Sequence, residues 1–310
     1  MARWSEGKGP AAAGENAATA PDFAALLDAV RGIRWPARRP VRGGIPGAHT
    51  SRMRGISAEF TEYRPYRQGD DLGRIDWKLF ARSDRAYIRL SNDRAILPTM
   101  IVLDGSASMA FPVATKGKWQ LASQLAVGLA AVARSSADPV GLVIARDGKS
   151  IQLQPRTRQG VIHEMIRAVS DTEPGGSDPL SPAFTAASRV SGRVILISDF
   201  LGDADELLNN AARAVAGGRE VHALHIIAPE ELDPQRETLL VSDPEDPEVR
   251  RPLTGDARQA YLAAFGAWRD RISHDWSDAG VSYSMAIVGS EAPDHLIRRI
   301  AAPRGVAASA

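Results

Sequence analysis

From Thr99 onward the chain is written in two alternating patterns. Short, mainly apolar runs at Thr99–Leu103, Val140–Ala145, Arg193–Ser198, Glu220–Ile227 and Val281–Val288 have the length and β-branched content of strands. A shorter run, Ser150–Leu153, follows Val140–Ala145 through the turn signal Asp147-Gly148. Between the runs, apolar residues recur every three or four positions. Leu121, Leu125, Leu129 and Val132 form one such stripe on a helix from about Lys118. Further helices are predicted at Gln159–Val169, Ala183–Arg189 and Asp203–Ala216, the last stopped by Gly217-Gly218. A long one carries Tyr261, Phe265, Trp268, Ile272 and Trp276, and a final one runs from about Ala292 to Ile300. Leu232–Pro252, rich in proline and acids, reads as an excursion, folded as a hairpin. Strands alternating with helices predict an α/β protein with a mainly parallel sheet covered on both faces.

The first hundred residues follow other patterns. Met1–Ala20 has no periodicity and reads as a disordered leader. Pro21-Asp22 opens a short helix with Phe23, Leu26, Leu27 and Val30 on one face, expected to dock on the main body. Arg31–Arg54 is basic and broken by Gly and Pro, which fits a solvated loop better than a patch for anionic partners. Phe60–Leu90 crowds arginines, acids and aromatics around the turn Gly69-Asp70-Asp71, as an internally paired polar network would, and Tyr87–Leu90 alternates like a strand. The expected organisation is a leader over 1–20, an N-terminal helix and polar segment over 21–97, and the α/β domain over 98–310.

Composition narrows the function classes. The 310 residues are 44% apolar, enough for a substantial core, and the formal net charge of +1 argues against a general nucleic-acid binder. Without cysteine there is no thiolate catalysis, zinc–thiolate site or disulfide. No secretory signal and no run of about 18 apolar residues is visible, so the expectation is a cytoplasmic protein without a membrane span.

The candidate chemistry starts at the end of the first predicted strand of the α/β region. Asp104-Gly105-Ser106-Ala107-Ser108-Met109 delivers one carboxylate and two hydroxyls where ligands bind in open α/β sheets. Such hard oxygen groups suit a small hard cation, Mg²⁺ first and Mn²⁺ by the same donor set. A second buried strand also ends in an acid, Asp199, and Gly175-Gly176-Ser177-Asp178 forms a loop between helices, with Asp178 expected to cap the helix that follows. His222 and His225 fall within a strand and read as core residues; the remaining histidines lack metal-ligand spacing. There is no Walker motif and no nucleophile elbow. The rival enzymatic reading takes Asp70/Asp71, Asp76 and Lys78 as an acid…D-x-K site for metal-dependent phosphodiester hydrolysis, but Arg74-Ile75-Asp76-Trp77 is too polar for the strand such a site needs.

Two stretches resemble a known family. Gly69-Asp70-Asp71, followed by Arg74-Ile75-Asp76-Trp77 and Ala81-Arg82, is similar to the signature of the bacterial domain of unknown function 58 family. Asp104–Met109 resembles the start of the von Willebrand factor A-like domain that this family carries, and the likeness runs from about Ile45 to the C-terminus. It implies a Rossmann-like A-type domain with a metal-ion-dependent adhesion site. Asp104, Ser106 and Ser108 match its first element, Ser177 stands where threonine is usual, and Asp199 matches the third. It also implies a non-enzymatic protein-binding adaptor that works with MoxR-type AAA+ ATPases, an acidic side chain of the partner completing the metal site. Gly69, Asp70, Asp71, Arg74, Asp76, Trp77 and Arg82 would then order the fold or meet the partner.

Overall fold

The computed structural model describes residues 21–37, 46–50, 60–67, 70, 75–91, 94–146, 148, 150–234, 240–242, 250–252 and 254–302. The predicted leader lies outside them. The chain begins with α1 (Phe23–Ala29), capped by Asp22, whose side chain accepts from Ala25 N at 3.0 Å. Next come β1 (Pro46–Thr50), β2 (Phe60–Pro65), α2 (Trp77–Ser83), β3 (Tyr87–Ser91) and β4 (Arg94–Ala95). β2 pairs antiparallel with β3, and β1 with β4. The strand at Phe60–Pro65 was not legible as one, because Arg64-Pro65 breaks its pattern.

The α/β region follows in the predicted order: β5 (Thr99–Asp104), α3 (Gly117–Ser135), β6 (Val140–Ala145), β7 (Ile151–Arg156), α4 (Val161–Ser170) and α5 (Ser181–Val190). It continues through β8 (Arg193–Ser198), α6 (Ala204–Ala216), β9 (Glu220–Ile227) and α7 (Pro229–Leu232). The excursion holds the antiparallel pair β10 (Leu240–Ser242) and β11 (Arg250–Pro252), as a hairpin requires. Then come α8 (Gly255–Asp278), β12 (Ser282–Ile287) and α9 (Pro293–Ala301).

Six strands form one sheet in the order β12-β9-β8-β5-β6-β7, parallel except for β7. Counted along the α/β region this is the doubly wound order 3-2-1-4-5-6. Strands covered on both faces tend to be apolar on both, which is why β5, β6 and β8 read as runs rather than alternations, while β9 admits the buried His222 and His225. Ile101, Leu103, Ile195 and Ile197 pack on the face covered by α1, α3, α4 and α9. Met100, Val102, Val194 and Leu196 pack on the opposite face with α5, α6 and α8. The outer strand β7 carries a bulge against β6, where the register shifts between Val140 and Leu142, with Pro155 in the bulged stretch.

The N-terminal segment is fastened to the sheet by a buried cation. Arg193 is fully buried at the start of β8, with Asp138 3.8 Å and Glu220 3.4 Å from its guanidinium. Trp35 stacks on it at 4.2 Å, and the Trp35 and Pro36 carbonyls accept from it at 3.4 Å. A guanidinium out of water must be neutralised and bonded, and the residues just after α1 supply part of that. Trp35→Ala should therefore lower the unfolding free energy by about 3–5 kcal/mol. It should also expose the segment before residue 37 to limited proteolysis well below the global unfolding temperature; equal protease resistance would contradict the anchoring role.

Candidate functional site

The order of the sheet reverses between β5 and β8, and the carboxyl ends of these neighbours leave a crevice there. Asp104 closes β5 and Asp199 directly follows β8, so two carboxylates are delivered to one end of adjacent parallel strands. Both are buried. Asp104 accepts from Ser106 N at 2.9 Å through one oxygen and from the Ser198 hydroxyl at 2.6 Å through the other. The Ser106 and Ser108 hydroxyls are 3.0 Å apart. Ser108 lies in a single 3₁₀ turn, Ala107–Ala110.

Glycines lock the loops together. Gly105 lies so close to the β6 backbone that a Cβ there would sit 2.8 Å from the Ala145 carbonyl. Gly175 N donates to the Gly105 carbonyl at 2.8 Å, and Ala107 N to that of Gly176 at 2.9 Å. Gly176 has φ +77°, which a side chain would strain. The loop bearing Ser177 is thereby fixed against the loop bearing Ser106 and Ser108. The resulting cleft, about 30 Å³, is lined by Asp104, Ser106, Ser108, Ser177 and Asp199, together with Ser198 and Asp203. The five residues singled out in the sequence therefore come together. Asp178 also lines the cleft, but it does not cap α5 as expected. Its carboxylate accepts from Gly148 N, and Asp203 takes the capping role from across the cleft, accepting from Leu180 N at 3.2 Å and Ser181 N at 3.0 Å.

The residue that sequence reasoning missed is Lys118. At 1% exposure its ammonium lies 2.7 Å from Asp199 Oδ2 and 2.7 Å from Glu231 Oε1. Glu231 is fixed in turn, its other oxygen accepting from Ala228 N at 2.7 Å. Burial works against the Lys118 charge, but the Asp199 and Glu231 carboxylates outweigh it and hold the pKa above the usual lysine value. α3 is buried around nearly its whole circumference, so a lysine in its first turn needs a partner; the sequence signal is the absence of any other charged residue from Trp119 to Ala133. The second Asp199 oxygen accepts from Leu201 N at 3.2 Å. Between them, Phe200 adopts φ +57°, a conformation that costs a bulky residue roughly 1–2 kcal/mol. Phe200 is held there by Trp276, 4.9 Å away, and His225, 5.4 Å away. Burial drives His225 down to about 4, so it is neutral and donates or accepts a hydrogen bond with the Tyr283 hydroxyl at 2.6 Å.

The donor set suits a hard cation in part. Asp104 and the hydroxyls of Ser106, Ser108 and Ser177 offer only oxygen. Asp199 already gives one oxygen to Lys118 and one to Leu201 N, which favours a role through water. Among the described residues there is no group of three or more His, Cys, Asp or Glu side chains placed to hold a metal, so any ion here would depend on the serines.

The polar segment before the sheet has a separate geometry. Asp76 caps α2 by accepting from Leu79 N at 3.0 Å and also accepts from the Tyr63 hydroxyl at 2.8 Å. Asp70 accepts from Arg67 N and from the Arg64 guanidinium, each at 2.8 Å, and these bonds lower its pKa. Trp77 is 61% exposed, and Lys78 and Arg82 are exposed on the same helix. Asp70 and Asp76 are thus engaged in local bonds, which takes support from the nuclease reading. Gly69, Asp71 and Arg74 lie outside the described residues.

A model of the family described as a protein of unknown function, DUF58, matches residues 62–270. The chain belongs to the DUF58 family. Uncharacterised proteins of Mycobacterium tuberculosis and Mycobacterium bovis are each 28% identical to it over 232 residues, 73% of this chain and 73% of the relative. Among solved structures, BatB from Bacteroides thetaiotaomicron aligns at 19% identity and a TM-score of 0.39, covering 66% of this DUF58 chain and 97% of its own. The SpRpn10 VWA domain aligns at 14% identity and a TM-score of 0.40, covering 69% and 100% respectively. Scores this low carry no argument, and the α/β class rests on the sheet itself. No helix among the described residues is long and apolar enough to cross a membrane.

The electrostatics of the cleft give a stability test. Burial, and then the neighbouring Asp199 charge, push the Asp104 carboxyl up to about 6 from an ordinary 3.8. A raised carboxyl pKa means the folded state holds the proton more tightly than the unfolded state. The burden is therefore absent below about pH 4, grows as pH rises towards 6, and is complete above. In EDTA at pH 7.5, Asp104→Asn should raise the unfolding free energy by up to about 3 kcal/mol. The gain should vanish as pH falls from 6 to 4; taking the difference from wild type cancels the opposite trend of His225. A variant no more stable than wild type at pH 7.5 would contradict this account.

Proposed function

We propose that this DUF58 protein is a non-catalytic, cytoplasmic adaptor whose cleft at the ends of β5 and β8 is a metal-dependent docking point for an acidic side chain of a protein partner. The observation that carries the reading is the convergence of Asp104, Ser106, Ser108, Ser177 and Asp199 from three separate loops on one cleft. Asp104, Ser106, Ser108 and Ser177 would hold Mg²⁺ or Mn²⁺, with Asp199 acting through water, and the ion would supply a Lewis-acidic position that a carboxylate can fill.

The chain's own residues suit this task. Asp104 is pinned at both oxygens, so its orientation is set before anything binds. A space of about 30 Å³ admits an ion or the tip of a side chain. Small-molecule sites are roughly ten times larger or more. The family resemblance supports a MoxR-type AAA+ ATPase, or a client it remodels, as the partner. Asp70 and Asp76, engaged in local bonds, give an enzymatic reading little to work with.

The test is capture on the purified protein from native lysate of its source, in parallel with Mg²⁺ and with EDTA, read by mass spectrometry. The expected result is an AAA+ ATPase enriched only with Mg²⁺ and reduced at least tenfold on Asp104→Ala, whose fold circular dichroism should show intact. Equal enrichment in EDTA, or full EDTA-sensitive binding by Asp104→Ala, would overturn the proposal.

A further inference from the structure

We propose that Lys118 is a tethered cation that competes with the divalent ion for Asp199, and that Glu231 sets the strength of this competition. The inference rests on the metal-site reading above and specifies how that site is regulated.

Lys118 cannot withdraw into solvent. It sits in the first turn of α3, and its ammonium, at 1% exposure, is clamped between two carboxylates at 2.7 Å each. The shared carboxylate, Asp199, lines the cleft; the other, Glu231, does not. An ion bound beside Asp104 would meet the ammonium across Asp199, with two like charges sharing one anion in a site of low dielectric. The ammonium therefore lowers divalent affinity by neutralising Asp199 and by direct repulsion. Glu231 counters this by drawing on the same ammonium.

Glu231 is well placed to act as a control. It lies in α7, at the start of the excursion that holds β10 and β11. Its backbone carbonyl accepts from the Tyr261 hydroxyl of α8 at 2.9 Å, and Arg258 of α8 pairs with Asp233 at 2.6 Å. A partner that shifts α7 would change the grip of Glu231 on Lys118 and so the affinity of a site it does not touch.

The experiment uses the full chain, with Mg²⁺ and Mn²⁺ as probes and no protein partner. Isothermal titration calorimetry on wild type, Lys118→Met and Glu231→Gln is paired with Mn²⁺ binding by electron paramagnetic resonance. Lys118→Met should bind at least tenfold more tightly than wild type. Glu231→Gln retains an acceptor for Ala228 N but frees the ammonium for Asp199, and should bind several-fold more weakly. Binding by Lys118→Met with none by wild type would uphold the competing cation and refute metal-dependent docking by the native protein. Equal binding by wild type and Lys118→Met would overturn the competition and leave the docking site standing. Absence of binding in all three would overturn both. Should Lys118→Met fail to fold, Glu231→Gln decides alone: unchanged or tighter binding overturns the inference.

Discussion

Two largely buried carboxylates sit side by side at the ends of β5 and β8, and the surrounding structure depends on how their charge is managed. Asp104 is handled with dipoles, the Ser106 amide and the Ser198 hydroxyl. Asp199 is handled with a full opposite charge from Lys118. The difference matters because dipoles leave Asp104 carrying an unfavourable potential, whereas the ammonium largely cancels that of Asp199. One site thus holds a carboxylate balanced only by dipoles beside another that is paired with a full positive charge. Keeping Asp104 ionised in this position costs folding stability.

The sheet makes this arrangement available and the opposite end of the same strand secures it. Arg193 at the beginning of β8 and Asp199 after its end are both buried charges, and each is paired with residues far away in sequence. At the first, Trp35 and Pro36 fasten the N-terminal segment. At the second, Lys118 and Glu231 join α3 to α7. β8 is therefore the strand through which both poles of the molecule are tied together.

Much of this was legible in the sequence because burial on both faces leaves a nearly continuous apolar run, and β5, β6 and β8 are such runs, while β9 is one interrupted by His222 and His225. The acids at Asp104 and Asp199 stood out because they end those runs abruptly. What escaped notice were the partners. Lys118 reads as the opening of an amphipathic helix, and its pairing with Asp199 and Glu231 is set only when three distant segments meet. Asp178 looked like the cap of α5 because it precedes that helix closely, yet Asp203, from the loop after β8, reaches the free amides first. The strand β2 was hidden because its pairing with β3, rather than its own pattern, defines it.

The bulge in β7 bears on how another molecule can approach. A peptide that joins a sheet at its rim needs a regular row of amide and carbonyl groups, and β7 ends in an irregular stretch that includes Pro155. Growth of the sheet by another chain is therefore obstructed on this side, whether the chain is a ligand or a second copy of the protein. An irregular edge strand of this kind gives another chain a poor template to pair with.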